Sequence, residues 1–177
     1  MERKIVKNLE AIEAMLYYWH ALKDREKVAE KFIYDIAEMP GLILAYDEEF
    51  DGESVRRVLS AIKNRETLSS RTKKEARFWN NNLWMMEDLG YTQEMVQPIK
   101  TLNLDIVSES IKDVGKDKDF EELEVIFVPL HFDDYRIKDN KLIINFFKIT
   151  PRENQAFIGE QEITDFIKDK LIELLKK

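Results

Sequence analysis

The stretch Tyr46 to Ser54, YDEEFDGES, concentrates five carboxylates in seven positions and carries a glycine where a calcium loop would turn. A helix–loop–helix calcium site needs oxygen ligands at alternate positions, a glycine at about the sixth and a bidentate glutamate at about the twelfth. Counted from Asp47, the alternate positions are Asp47, Glu49 and Asp51, and Gly52 falls where the turn needs it. The final ligand position is Val58, which has no oxygen and belongs to the apolar face of the next segment. These residue types favour a helix-start loop over a metal site. Asp51 caps the helix, Glu53 favours its electropositive end, and Leu42, Ile43 and Leu44 anchor the loop in the core.

Other chemistry is sparse. His131, Asp133 and Asp134 in PLHFDDY offer nitrogen and oxygen to a metal, but no further ligand pattern such as HExxH supports them, and a strand-end turn is preferred. The second histidine, His20, borders the apolar seam of the first helix. Without cysteine there is no disulfide, no thiolate nucleophile and no zinc–thiolate site. The five glycines form neither GxGxxG nor a phosphate loop ending in GK[ST], and no serine or threonine sits in an elbow or triad context. No catalytic motif is found, so neither a cofactor nor a metal is expected.

Charge is distributed unevenly. Residues 56–77 hold eight basic side chains against Glu66 and Glu75, a balance of +6, so the rest of the chain carries −13 of a net −7. Within this segment Thr72 and Glu75 have capping-box spacing, and the helix they open runs to about Gly90. Arg71, Lys73 and Lys74 cluster at its start, where helices favour acids and where free N–H groups suit an anion. On a helical projection Trp84 falls among Lys73, Arg77, Asn80 and Asn81 on the polar side. A solvated tryptophan beside arginine marks an interaction surface. The alternative, which the size of the side chain favours, is that the C-terminal sheet covers it. Asn82 points to the apolar side and needs a buried hydrogen-bond partner.

The elements that must position these residues divide the chain. Ile5, Leu9, Ile12, Leu16 and Trp19 have one-sided helical spacing, and Val28, Phe32, Ile33 and Ile36 place a second helix over about 24–38. Val55, Val58, Leu59 and Ile62 mark a third helix, and the Trp84 helix is the fourth. After Pro98 the pattern turns to strands: TLNLDIVS alternates, LEVIFVPLHF is apolar, and RIKDNKLIINFF reads as a hairpin turning at Asp139-Asn140. Thr150 to Glu153 has capping-box spacing, ahead of a final amphipathic helix carrying Ile163, Phe166, Ile167, Leu171 and Leu174. The fold class is α+β: about four helices packed with a small antiparallel sheet of three or four strands and a C-terminal helix. One domain with two lobes is expected, helical over 1–98 and strand-rich over 99–177, without repeats or flexible linkers.

With 44% hydrophobic and 36% charged residues the chain is globular, and no uncharged run approaches the roughly 20 residues that cross a bilayer. Glu10 and Glu13 interrupt the stretch a signal peptide needs, so a cytoplasmic location with no membrane contact is expected. The expected role is non-catalytic binding of a protein partner, or of a second copy, through Arg71, Lys73, Lys74, Arg77, Asn81 and Trp84. Tyr17, Tyr18 and Trp19 on the first helix form an alternative dimer face. Nucleic-acid or phosphate-ligand binding through segment 56–77 is a second hypothesis, and a metal-dependent enzyme at His131, Asp133 and Asp134 a third.

Overall fold

A computed structural model describes residues 2–68 and 71–177; residues 69 and 70 of the basic segment lie outside it. Strand β1 (Lys4–Asn8) leads into helices α1 (Glu10–Lys23), α2 (Glu30–Ala37), α3 (Pro40–Ala45), α4 (Gly52–Asn64), α5 (Lys73–Glu87), α6 (Leu89–Lys100) and α7 (Asp105–Ser110). Strands β2 (Glu122–Val128), β3 (Tyr135–Lys138) and β4 (Lys141–Asn145) follow. A hairpin of β5 (Ile149–Arg152) and β6 (Gln155–Ile158), a short β7 (Gln161–Glu162) and helix α8 (Ile163–Lys176) complete the chain. The fold is α+β.

Four strands form one sheet in the order β1-β2-β4-β3 and three form a second in the order β5-β6-β7. The second sheet, which the sequence reading did not anticipate, is antiparallel. The first is mixed: β1 and β4 both run parallel to β2, and β3 returns against β4. On β2, Leu123, Val125, Ile126, Phe127 and Val128 are all buried, which is the continuous apolar run of a strand covered on both faces. Helices α1 and α3 pack against β2, and α8 packs against β4, β6 and β7. Helix α3 lies so close that a Cβ at Gly41 would come within 3.0 Å of the Ile126 side chain.

Four local expectations change. The helical spacing that begins at Ile5 belongs to a helix only from Glu10; Lys4–Asn8 is a strand because its backbone pairs with β2, and the Asn8 side chain accepts the Glu10 N–H at 3.0 Å to start α1. The second helix begins at Glu30, since residues 24–26 close α1 first. TLNLDIVS is no strand: Lys7 Nζ donates to the Ile99, Lys100 and Leu102 carbonyls at the end of α6, and α7 begins at Asp105. Leu104, Val107 and Ile111, spaced three and four apart, face the core, whereas Ile106 is 71% exposed. Thr150 to Glu153 caps no helix but makes β5 and its turn, where Glu153 and Asn154 both take positive φ (47° and 68°). Two such residues suit the twist of a tight hairpin.

The remaining turns follow the sequence. Asp139, at φ 54°, turns the β3–β4 hairpin. Asp51 caps α4, accepting the Glu53 and Ser54 N–H groups at 3.0 and 3.2 Å. Among the described residues, no helix is long and apolar enough to cross a membrane.

Candidate functional site

Helix α5 starts as its sequence directs. Thr72 Oγ1 accepts the Glu75 N–H at 3.1 Å, and Glu75 Oε1 accepts the Thr72 N–H at 2.9 Å. Its buried stripe is Glu75, Phe78, Asn82 and Met85, packed chiefly on α1, α4 and α6. Asn82 finds the partners it needs: its Oδ1 accepts the Trp19 indole N–H at 2.9 Å, and its Nδ2 donates to the Phe78 carbonyl at 2.8 Å. The helix stops at Glu87, short of Gly90, because the Asp88 carboxylate caps α6 by accepting the Tyr91 N–H at 3.0 Å.

Trp84 lies on the opposite side and is 64% exposed. The C-terminal sheet does not cover it: α5 packs chiefly on α1, α4 and α6, and none of these lies over Trp84. Lys73, Arg77 and Asn80 on the same side of the helix are exposed and Asn81 is half-buried. Lys73 has no acidic partner among the described residues. The other basic groups are engaged: Arg71 donates to the Leu68 carbonyl at 2.9 Å, and Lys74 stands 3.1 Å from both Asp47 and Glu49. Arg77 donates to the His131 carbonyl at 3.2 Å, with Asp133 at 4.0 Å. Of these groups, Lys74 alone joins the basic helix start to the acidic loop. The alternative dimer face on α1 is closed in part: Tyr18 and Trp19 are buried, with Tyr18 donating to the Leu59 carbonyl at 2.6 Å, and Tyr17 alone of the three is exposed.

The acidic loop and the turn after β2 meet at Asp47. Its Oδ2 lies 2.8 Å from His131 Nε2 and 3.1 Å from both Lys74 Nζ and Arg136 Nη2, while Oδ1 accepts the Glu49 N–H at 2.9 Å. Arg136 also donates to the Ala45 carbonyl. Partial burial pushes the Asp47 carboxyl up, but the bonds from His131, Lys74 and Arg136 outweigh it and hold the carboxyl well below the usual range. Burial pushes the His131 imidazole down, against the opposing pull of Asp47. The ring stacks on Phe50 at 4.1 Å, and Nδ1 is buried without a hydrogen-bond partner among the described residues. A neutral ring donating from Nε2 leaves only a lone pair there, whereas a protonated ring would bury an unpaired N–H.

This arrangement is a structural clamp. The His131 side chain is sealed from solvent while the Asp133 carboxylate is 97% exposed, so His131, Asp133 and Asp134 do not converge. No group of three metal-ligating side chains gathers among the described residues. The clamp was invisible in the sequence because its members lie 27, 84 and 89 positions from Asp47.

A groove lies along the other flank of α5. Its floor is Trp79, Leu83 and Met86, and its volume is about 880 Å³. The walls come from two octapeptides that share Ala, Lys, Arg and Glu at an offset of 40 residues, Ala21 to Val28 (ALKDREKV) and Ala61 to Leu68 (AIKNRETL). Both segments end a helix identically. Arg25 N donates to Leu22 O (3.1 Å) and Glu26 N to Ala21 O (2.7 Å); Arg65 N donates to Ile62 O (3.1 Å) and Glu66 N to Ala61 O (2.9 Å). This is the double-bonded C-terminal cap in which glycine is usual. Arg25 and Arg65 adopt its left-handed conformation at φ 61° and 56°.

Comparison with protein-family models, with curated proteins and with solved structures finds no match to this chain.

Proposed function

We propose that this chain acts by binding, and that α5 presents Trp84 as the anchor for a protein partner, a second copy of the chain included. The observation that carries this is the 64% exposure of Trp84 on a helix whose opposite side is packed and hydrogen-bonded. Tryptophan and arginine dominate interface hot spots, and a surrounding polar rim excludes water from such an anchor. Arg77 and Lys73 lie about two and three turns before Trp84 on the same side of the helix, with Asn80 and Asn81 able to hydrogen-bond a partner's backbone. Of the basic groups around the start of α5, Lys74 is paired with Asp47 and Glu49, and Arg71 and Arg77 are turned onto protein carbonyls, so these three are held by the protein itself.

A photo-cross-linking residue at position 84, compared with one at exposed Lys116, tests the proposal in growing cells. A defined adduct at 84 that is absent at 116 supports it, and sedimentation of the purified chain separates self-association from a foreign partner. A strictly monomeric protein with no position-specific adduct would overturn it. Nucleic-acid binding would appear instead as an affinity that falls steeply with salt.

A further inference from the structure

We infer that the groove between the two octapeptides is a binding site for a small amphipathic anion, an apolar body bearing a carboxylate or phosphate. Its volume of about 880 Å³ lies within the roughly 300–1,000 Å³ typical of small-molecule sites. Half-buried Leu22, Trp79, Leu83 and Met86 line it together with buried Val28 and Ile62, so an apolar body would meet apolar atoms along its length. Polar groups converge only at the walls, the arrangement that orients a ligand in an otherwise apolar cleft.

The charge of the head group follows from the rim. Arg25, Lys27, Lys63 and Arg65 face Glu26 and Glu66 there, a surplus of two positive charges in a chain of net −7. Lys63 is engaged with Glu30 at 2.8 Å. Arg25 and Arg65, one on each wall, have no carboxylate partner among the described residues. A planar guanidinium grips carboxylate or phosphate through two parallel hydrogen bonds.

Backbone conformation supplies an independent argument. Both arginines occupy left-handed positions where glycine is the low-cost choice, and both border one cavity. The electronegative helix ends do not require them, since Lys23 and Lys63 already stand in the last turns of α1 and α4. A side chain kept twice at a strained position, at one groove, fits a role in holding a ligand. The site stands independently of the Trp84 surface, which lies on another side of α5.

Calorimetric titration with dodecanoate, dodecyl phosphate and dodecanol, each below its micelle concentration, tests the site. Both anions are expected to bind with one-to-one stoichiometry and at least about tenfold more tightly than the alcohol. Their relative affinities then identify the head group as carboxylate or phosphate. The double variant R25G/R65G should lose at least about tenfold in anion affinity, leave the alcohol unchanged and show no fall in Tm, because glycine suits both backbone positions. Leu83→Trp, which fills the floor, should weaken all three ligands. Equal affinity for anion and alcohol, undiminished anion binding by R25G/R65G or by Leu83→Trp, or no binding of any probe would overturn the proposal.

Discussion

Asp47 and His131, 84 positions apart, meet at 2.8 Å and join the loop before α4 to the turn after β2. Lys74 and Arg136 close on the same carboxylate oxygen, so one side chain ties α5, β3 and two connecting segments together.

The clamp makes stability depend on pH with a definite sign. His131 and Asp47 both titrate below their ordinary values of 6.5 and 3.8 in the folded chain. A group with a depressed folded value takes up its proton more readily when unfolded, so its contribution is complete above its ordinary value and is lost as pH falls. The Tm should drop as pH is lowered through about 6.5, from His131, and again below about 3.8, from Asp47. His131→Gln should flatten the first of these losses in thermal melts across the range. A wild-type Tm that rises on acidification through that first window would refute the assignment.

Two tryptophans should behave oppositely when truncated. Trp84→Ala should cost less than about 0.5 kcal/mol in urea unfolding, as expected of an exposed site. Trp19→Ala, which empties a fully buried position against Phe146 and Asn82, should cost about 3–5 kcal/mol.

The Asn82 bridge predicts a polar core penalty. Asn82→Ala leaves the Trp19 indole N–H without its acceptor in a sealed environment. A destabilisation of about 1–3 kcal/mol is expected from the lost bond alone. Denaturant midpoints of the single and Trp19→Phe double variants should be non-additive, since both changes remove one interaction.

Glycine substitutions separate backbone strain from crowding. Gly115 and Gly159 share a left-handed φ of 60° and 61°. A Cβ at Gly115 would lie 2.7 Å from the Leu175 carbonyl oxygen, whereas nothing lies within 4 Å of one at Gly159. Gly159→Ala should therefore cost only the conformational term, about 1 kcal/mol. Gly115→Ala should cost clearly more and loosen the residue 113–120 segment, whose Val114, Gly115 and Phe120 carbonyls hold the buried Arg3 guanidinium. Hydrogen exchange of that segment would report the difference.

Local signals were legible wherever one short-range interaction decides. Asp51 and Thr72 cap helices because their acceptors reach N–H groups two or three residues on. Asp139 turns a hairpin through its own backbone conformation. The apolar spacing of α4 and α8 matches the buried residues Val55, Val58, Leu59, Phe166, Ile167 and Leu171. Legibility ended where two local readings competed. Thr150 to Glu153 has the residues of a capping box and also of a tight turn, and pairing with β6 selects the turn. Lys4–Asn8 extends a helical period, and pairing with β2 makes it a strand.

Of the candidate site, the position of Trp84 on the polar side of its helix was readable from helical periodicity alone, but its exposure was not. Exposure depends on which elements pack on α5, and these come from residues far along the chain. Arg25 and Arg65 lie 40 positions apart, and their meeting at one groove required the ends of α1 and α4 to come together over α5. By itself the sequence determined the α+β class, the caps at Asp51 and Thr72, the β3–β4 turn and a buried role for Asn82, because each rests on periodicity or on contacts within a few residues. Tertiary structure alone decided the parallel strand pairing, the Asp47 clamp and the groove. Those depend on contacts between segments tens of residues apart, and local sequence patterns carry no record of them.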